Sequence, residues 1–194
     1  PVLNLPENAL IGIMYSEDNW DRGTTHFPGW KVSSSANSPL LNGTGLQTGQ
    51  YYGCGLVGYE WDNVVGNGAT PVGLEVLGAT PTWSNINRVV GISNTAYYIA
   101  LSGAMVFATG SIYWTFALDN YRFDIDKKCS SQDLVVSGMQ KLMEHVMGAL
   151  IVPHNPGQLA YAKPPATSLA SLAVIALTLI DMPARLFKKL KKEL

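Results

Sequence analysis

The chain has 194 residues, 47% of them apolar and only 14% charged. That is enough apolar side chain for one domain with a core, and it excludes intrinsic disorder. Residues 1–166 carry eight Lys/Arg against twelve Asp/Glu, and residues 167–194 carry five against two. An acidic body without basic clusters excludes nucleic acid as a partner, because holding phosphates requires a positive surface.

In chain order, NALIGIMYS at 8–16 predicts a short buried strand behind Pro6, leading into an aromatic polar loop that contains His26. Residues 30–50 carry serine, Asn-Gly and Gly/Thr turn signals, and predict irregular surface structure around one apolar anchor at Leu40 and Leu41. Within it Asn42-Gly43-Thr44 fits an N-glycosylation sequon as well as a plain Asn-Gly turn. YYGCGLVGYEWD at 51–62 predicts a glycine-interrupted strand ending in carboxylates. PVGLEVLGATP, INRVVGIS, TAYYIALS and AMVFATGSIYWTFAL predict four further strands.

Leu134, Val135, Met139, Leu142, Met143, Val146, Met147 and Leu150 recur at helical spacing. They predict one helix over 130–152, with Ser130 and Asp133 as its capping box. The four prolines of 153–168 predict an extended linker. The domain expectation is therefore a body over 1–153, a linker over 154–168 and a helical tail over 169–194.

The tail is apolar first, with Leu172, Val174, Ile175 and Leu179 in an uncharged run, then amphipathic in RLFKKLKKEL. Three placements stay open. The apolar run falls slightly short of the about 20 residues that span a bilayer, yet five cations after it resemble a cytoplasmic stop-transfer end, which puts the body outside the cell. An interfacial helix would instead insert Leu186, Phe187 and Leu190 and reach headgroups with Lys188, Lys189, Lys191 and Lys192. The third placement buries the apolar run against this body or a second copy, in a homo- or hetero-oligomer. No signal peptide opens the chain, and a start at Pro1 is compatible with processing.

Chemical signals are sparse. His26, His145 and His154 lack metal-ligand spacing, although His26, in its aromatic loop, is a candidate acid/base. Cys54 and Cys129 form either a single disulfide or buried thiols, and spacing does not choose. No nucleophile elbow or dinucleotide fingerprint is present. Asp119, Asp124 and Asp126 lack the glycine and closing glutamate of a calcium loop. Glu60, flanked by Tyr59 and Trp61 in an apolar strand, is the sharpest candidate, because a partly desolvated carboxylate calls for a cation or a donor.

NALIGIMY, NSPLLNGTGLQTGQ, GLVGYEWD at 55–62 and GAMVFATGSIYWTFALD at 103–119, in this order, give a chain that resembles the C-terminal region of N,N-dimethylformamidase large (beta) subunit-like proteins. The resemblance implies a β-rich α/β fold with a partial class I glutamine-amidotransferase-like sheet and one C-terminal helix; the separate tail helix follows that helix and the linker and is foreign to the resemblance. It also implies hydrolysis of an amide C–N bond at a mononuclear iron held by tyrosines and a glutamate, for which Glu60 is the matching carboxylate. The tyrosine ligands belong to a part of the family that lies before this chain's first residue, so Tyr51, Tyr52 and Tyr59 are assigned to packing. The expectation is an amidohydrolase-like module, displayed outside the cell and working by binding or assembly. An iron hydrolase completed by another segment or chain, and a structural subunit of a surface layer or filament, are the alternatives.

Overall fold

The computed structural model describes residues 5–19, 27–33, 36–121, 129 and 134–151. The elements are α1 (Asn8–Ile11), β1 (Met14–Asp18), β2 (Trp30–Lys31), β3 (Tyr51–Tyr52), β4 (Glu60–Asn63), β5 (Glu75–Ser84), β6 (Val89–Ile99), β7 (Met105–Ala108) and α2 (Ser137–Ile151), with 3₁₀ turns at Pro39–Leu41 and Trp114–Ala117. Among the described residues all strand pairing is antiparallel, in sheets β1-β4, β2-β3 and β5-β6-β7. The architecture is thus β-rich with one long helix, and it contains no parallel layer of the glutamine-amidotransferase kind among these residues.

The first expected strand is only half a strand. Asn8–Ile11 closes a helical turn, and Gly12, at φ 86, donates its N–H to the Asn8 carbonyl at 3.0 Å before the chain enters β1. A left-handed residue there is inexpensive only without a Cβ, so glycine divides the apolar run into turn and strand. Likewise 51–62 is two short strands, β3 and β4, separated by the turn that carries Cys54.

INRVVGIS and TAYYIALS, expected as two strands, are one. Asn85–Arg88 turns the chain, with Asn87 N–H donating to Ser84 Oγ at 3.2 Å, and β6 then runs unbroken for 11 residues. Its polar middle does not interrupt it, because each side chain has a backbone carbonyl as partner. Ser93 Oγ donates to the Gly110 carbonyl at 2.9 Å, Asn94 Nδ2 to the Gly78 carbonyl at 3.2 Å, and Thr95 Oγ1 to the Thr109 carbonyl at 2.7 Å. Buried polar groups are tolerated when satisfied in this way. The segment after β7 is no strand; it folds into the 3₁₀ turn that buries Trp114.

The core collects Trp30, Val32, Leu40, Leu56, Leu77, Tyr97 and Trp114, capped by Met139, Leu142 and Val146 of α2. Each of these helix side chains gains about 1.5–3 kcal/mol from leaving water. Trp30 and Trp114 meet edge to face at 5.3 Å, and Trp30 Nε1 donates to Thr95 Oγ1 at 2.9 Å, joining core and polar belt. The helix begins at Ser137, later than the periodicity implied, since Val136 donates its N–H to the Ala117 carbonyl at 2.9 Å and accepts the first helical bonds. Leu134 and Val135 precede the helix, so Ser130 and Asp133, which lie outside the described residues, are too far upstream to form its capping box. No helix among the described residues is long and apolar enough to cross a membrane. The linker and tail, 154–194, lie outside the described residues.

Candidate functional site

Glu60 opens β4, and the loop before it is fixed by one buried serine. Ser111 Oγ accepts the N–H groups of Gly58 at 3.1 Å and Tyr113 at 3.3 Å, and it reaches the carbonyls of Leu56 at 2.8 Å and Gly58 at 3.0 Å. The serine comes from GAMVFATGSIYWTFALD and the loop from GLVGYEWD, so this residue joins the two segments that carry the resemblance. Trp61 is next, 1% exposed, its ring occupying the space a Cβ would need at Gly91 of β6. With Trp61 inward, the period-two geometry of a strand turns Glu60 and Asp62 to the opposite face.

β1 completes that face. Tyr15 lies opposite Asp62 and Asp18 opposite Glu60, with a bulge between Tyr15 and Glu17. Directly opposed residues share a side of the sheet, and opposed like charges cost stability. Glu7, just before α1, accepts the Tyr15 N–H through Oε2 at 3.3 Å. Burial raises the Asp62 carboxyl to about 6, and the neighbouring charges of Glu7 and Glu60 add to the rise. The Tyr15 phenol is raised by desolvation first, then by Asp18, Glu17, Glu60 and Asp62. Only carboxylates, and no cation, figure among the described groups acting on these two residues. On the inner face of β4, Trp61 Nε1 and Asn63 Oδ1 are buried without a hydrogen-bond partner among the described residues.

The donor chemistry of this face, carboxylate and phenol oxygens, suits a hard cation such as iron. Among the described residues no three His, Cys, Asp or Glu side chains converge so as to hold a metal.

The other candidates scatter. His26 and His154, with Leu172, Val174, Ile175, Leu179, Leu186, Phe187, Lys188, Lys189, Lys191 and Lys192, lie outside the described residues, as do Asp124 and Asp126. His145 Nδ1 is 2.8 Å from the Leu40 carbonyl, which fits helix docking. Asp119 Oδ1 accepts the Tyr121 N–H at 2.8 Å in a local turn. Tyr51 stands under Lys31 at 5.2 Å, Tyr52 Oη accepts the Gln47 N–H at 2.8 Å, and Tyr59 meets the Tyr113 ring at 5.8 Å. Cys54 and Cys129 are joined in a disulfide with Cα atoms 5.7 Å apart. Asp62 was within reach of sequence reasoning, since a residue two beyond Glu60 in a strand must share its face. Glu7, Tyr15 and Asp18 were not, because their place depends on strand pairing across more than forty residues.

These features define a β-rich module of small antiparallel sheets that displays a carboxylate face. The family model described as N,N-dimethylformamidase beta subunit-like, C-terminal, matches residues 2–130, and the chain belongs to that family. The match includes β4, Ser111 and the whole acidic face, and ends before α2. A comparison with curated proteins finds no match.

Proposed function

We propose that this chain is an amidohydrolase-related subunit module that acts by binding another protein chain, displayed outside the cell and held by its C-terminal segment 169–194. The observation that carries the reading is the outward face of the β5–β6 hairpin. There Trp83 pairs with Val90 and Pro81 with Ile92, and Trp83, Val90 and Ile92 are 41%, 77% and 50% exposed. A row of large apolar side chains on a sheet face favours cover by a partner. The Cys54–Cys129 disulfide supports an oxidising compartment.

A second reading is favoured by the gathering of Glu60, Asp62 and Tyr15 on one face. In it the module contributes Glu60 to an iron-dependent C–N hydrolase, with His26 as acid/base, and the remaining ligands come from a glutamine-amidotransferase-like segment or partner.

The test compares the full chain with a version ending at Ala166 and with Trp83→Ser/Val90→Thr, by sedimentation with and without anionic phospholipid vesicles, iron being assayed in each sample. The binding reading expects assembly that the hairpin variant weakens, and vesicle association lost on truncation. Monomeric behaviour of the full chain with bound iron that Glu60→Gln removes would overturn it in favour of the hydrolase.

A further inference from the structure

The chain contains two Asn-Gly pairs, Asn42-Gly43 and Asn67-Gly68; both are exposed, and the fold holds their side-chain amides differently. Asn67 is held by three hydrogen bonds. Its Nδ2 donates to Asn8 Oδ1 at 3.0 Å, and its Oδ1 accepts from Asn8 Nδ2 at 2.9 Å and from the Ala69 N–H at 3.0 Å. Asn8 is itself fully buried. Asn42 is exposed where the Pro39–Leu41 turn ends, with φ −61 and ψ 126, and its side chain makes no hydrogen bond with the described residues. Gly43 and Gly68 both face open space, with nothing within 4 Å of where a Cβ would stand, so the hold on the asparagine side chain is what distinguishes the two pairs.

We propose that Asn42 is a spontaneous modification site of the folded protein, converted by deamidation to aspartate and isoaspartate, while Asn67 is protected. The Gly43 backbone nitrogen attacks Asn42 Cγ and loses its proton, a C–N bond forms, and the side-chain nitrogen leaves as ammonia. Water then opens the succinimide at either carbonyl, giving aspartate or isoaspartate. The attack requires the side chain and the following peptide to rotate toward each other. An unheld amide beside an open glycine permits that rotation, and an amide fixed by three bonds resists it.

The site has a structural consequence. The Leu41 carbonyl accepts from Thr44 Oγ1 at 2.7 Å, Thr44 Oγ1 accepts the Leu46 N–H at 3.1 Å, and the adjacent Leu40 carbonyl faces His145 of α2. An isoaspartate inserts a methylene into the backbone of this turn and adds a negative charge, so it loosens the seat of the helix. The modification marks aged molecules at the α2 docking site.

The experiment incubates the folded full chain at mildly alkaline pH and follows both pairs by peptide mass mapping and by isoaspartyl methyl acceptance, with a parallel sample in denaturant. Asn42 is expected to convert about tenfold or more faster than Asn67 when folded, a ratio equivalent to about 1.4 kcal/mol, and the two rates converge when unfolded. Asn42→Gln removes the methyl-accepting product, and Asn8→Ala accelerates Asn67. Equal folded rates, or faster conversion at Asn67, overturn the proposal. Because the denatured comparison needs no variant, a poorly folding Asn8→Ala does not spare it.

Discussion

Replacing Asp62 by asparagine keeps the shape and polarity of the side chain and removes the charge that the acidic face holds at a cost. The carboxyl is raised from an ordinary 3.8 to about 6, chiefly by burial, with Glu7 and Glu60 adding to it. A raised acid binds its proton more tightly in the folded state than in the unfolded one. Its stabilising contribution is therefore complete below about pH 4 and is lost as pH rises through about 6, so stability falls across that window. Taken at face value the difference is about 3 kcal/mol; Asp62 is partly open to solvent, and screening reduces the expected effect to about 1–2 kcal/mol. Urea unfolding of the wild type and of Asp62→Asn at intervals from pH 4 to pH 7 measures it. The variant should be more stable than the wild type at pH 7 by about 1–2 kcal/mol, which for a body of this size is a few degrees in Tm, and should lack most of the wild-type slope between pH 4 and 6. If the two proteins keep parallel slopes, or the variant is weaker at pH 7, the carboxyl is paired and the charge argument is wrong.

Two further perturbations follow from the same geometry. Ser111→Ala strands the Gly58 and Tyr113 N–H groups and should cost about 2–3 kcal/mol in chemical denaturation, with Ser111→Thr, which keeps the hydroxyl, recovering part of the loss; an unchanged midpoint would remove Ser111 from its place between the two segments. Opening the Cys54–Cys129 bond, by reductant or by paired serine substitution, frees a loop set by a sequence separation of 75 and should cost up to about 4.5 kcal/mol, seen as a lowered Tm that is the same for the reduced and the substituted protein.

How much of this was legible in the sequence depends on the range over which each feature is specified. Met139, Leu142 and Val146 announced α2 because helical periodicity is local, and Leu40 and Leu41 announced an apolar anchor because they stand together among polar turn residues, Leu40 being the one fully buried. β6 was misread as two strands because Ser93, Asn94 and Thr95 have the composition of a break. Their partners, the carbonyls of Gly110, Gly78 and Thr109, lie 14 to 17 residues away, and only tertiary pairing shows that the polar atoms are satisfied. The turn at Asn8–Ile11 escaped because its apolar residues suit a strand equally well, and Gly12 alone decides.

The site follows the same rule, and that bears on what the module can do. Glu60 stood out from its aromatic neighbours, but its environment is set by β1, which sequence could not pair with β4. That pairing sets Asp18 against Glu60 and Tyr15 against Asp62, and brings Glu7 onto Tyr15, so the face accumulates negative charge. With Trp61 filling the space over Gly91, β4 has no room to turn its carboxylates inward without exposing the indole. The described charges acting on Asp62 and Tyr15 are all carboxylates, so the outward turn of β4 leaves these two residues facing like charge. The acidic face and the apolar hairpin face are the two surfaces on which the proposed hydrolase and binding readings respectively rest.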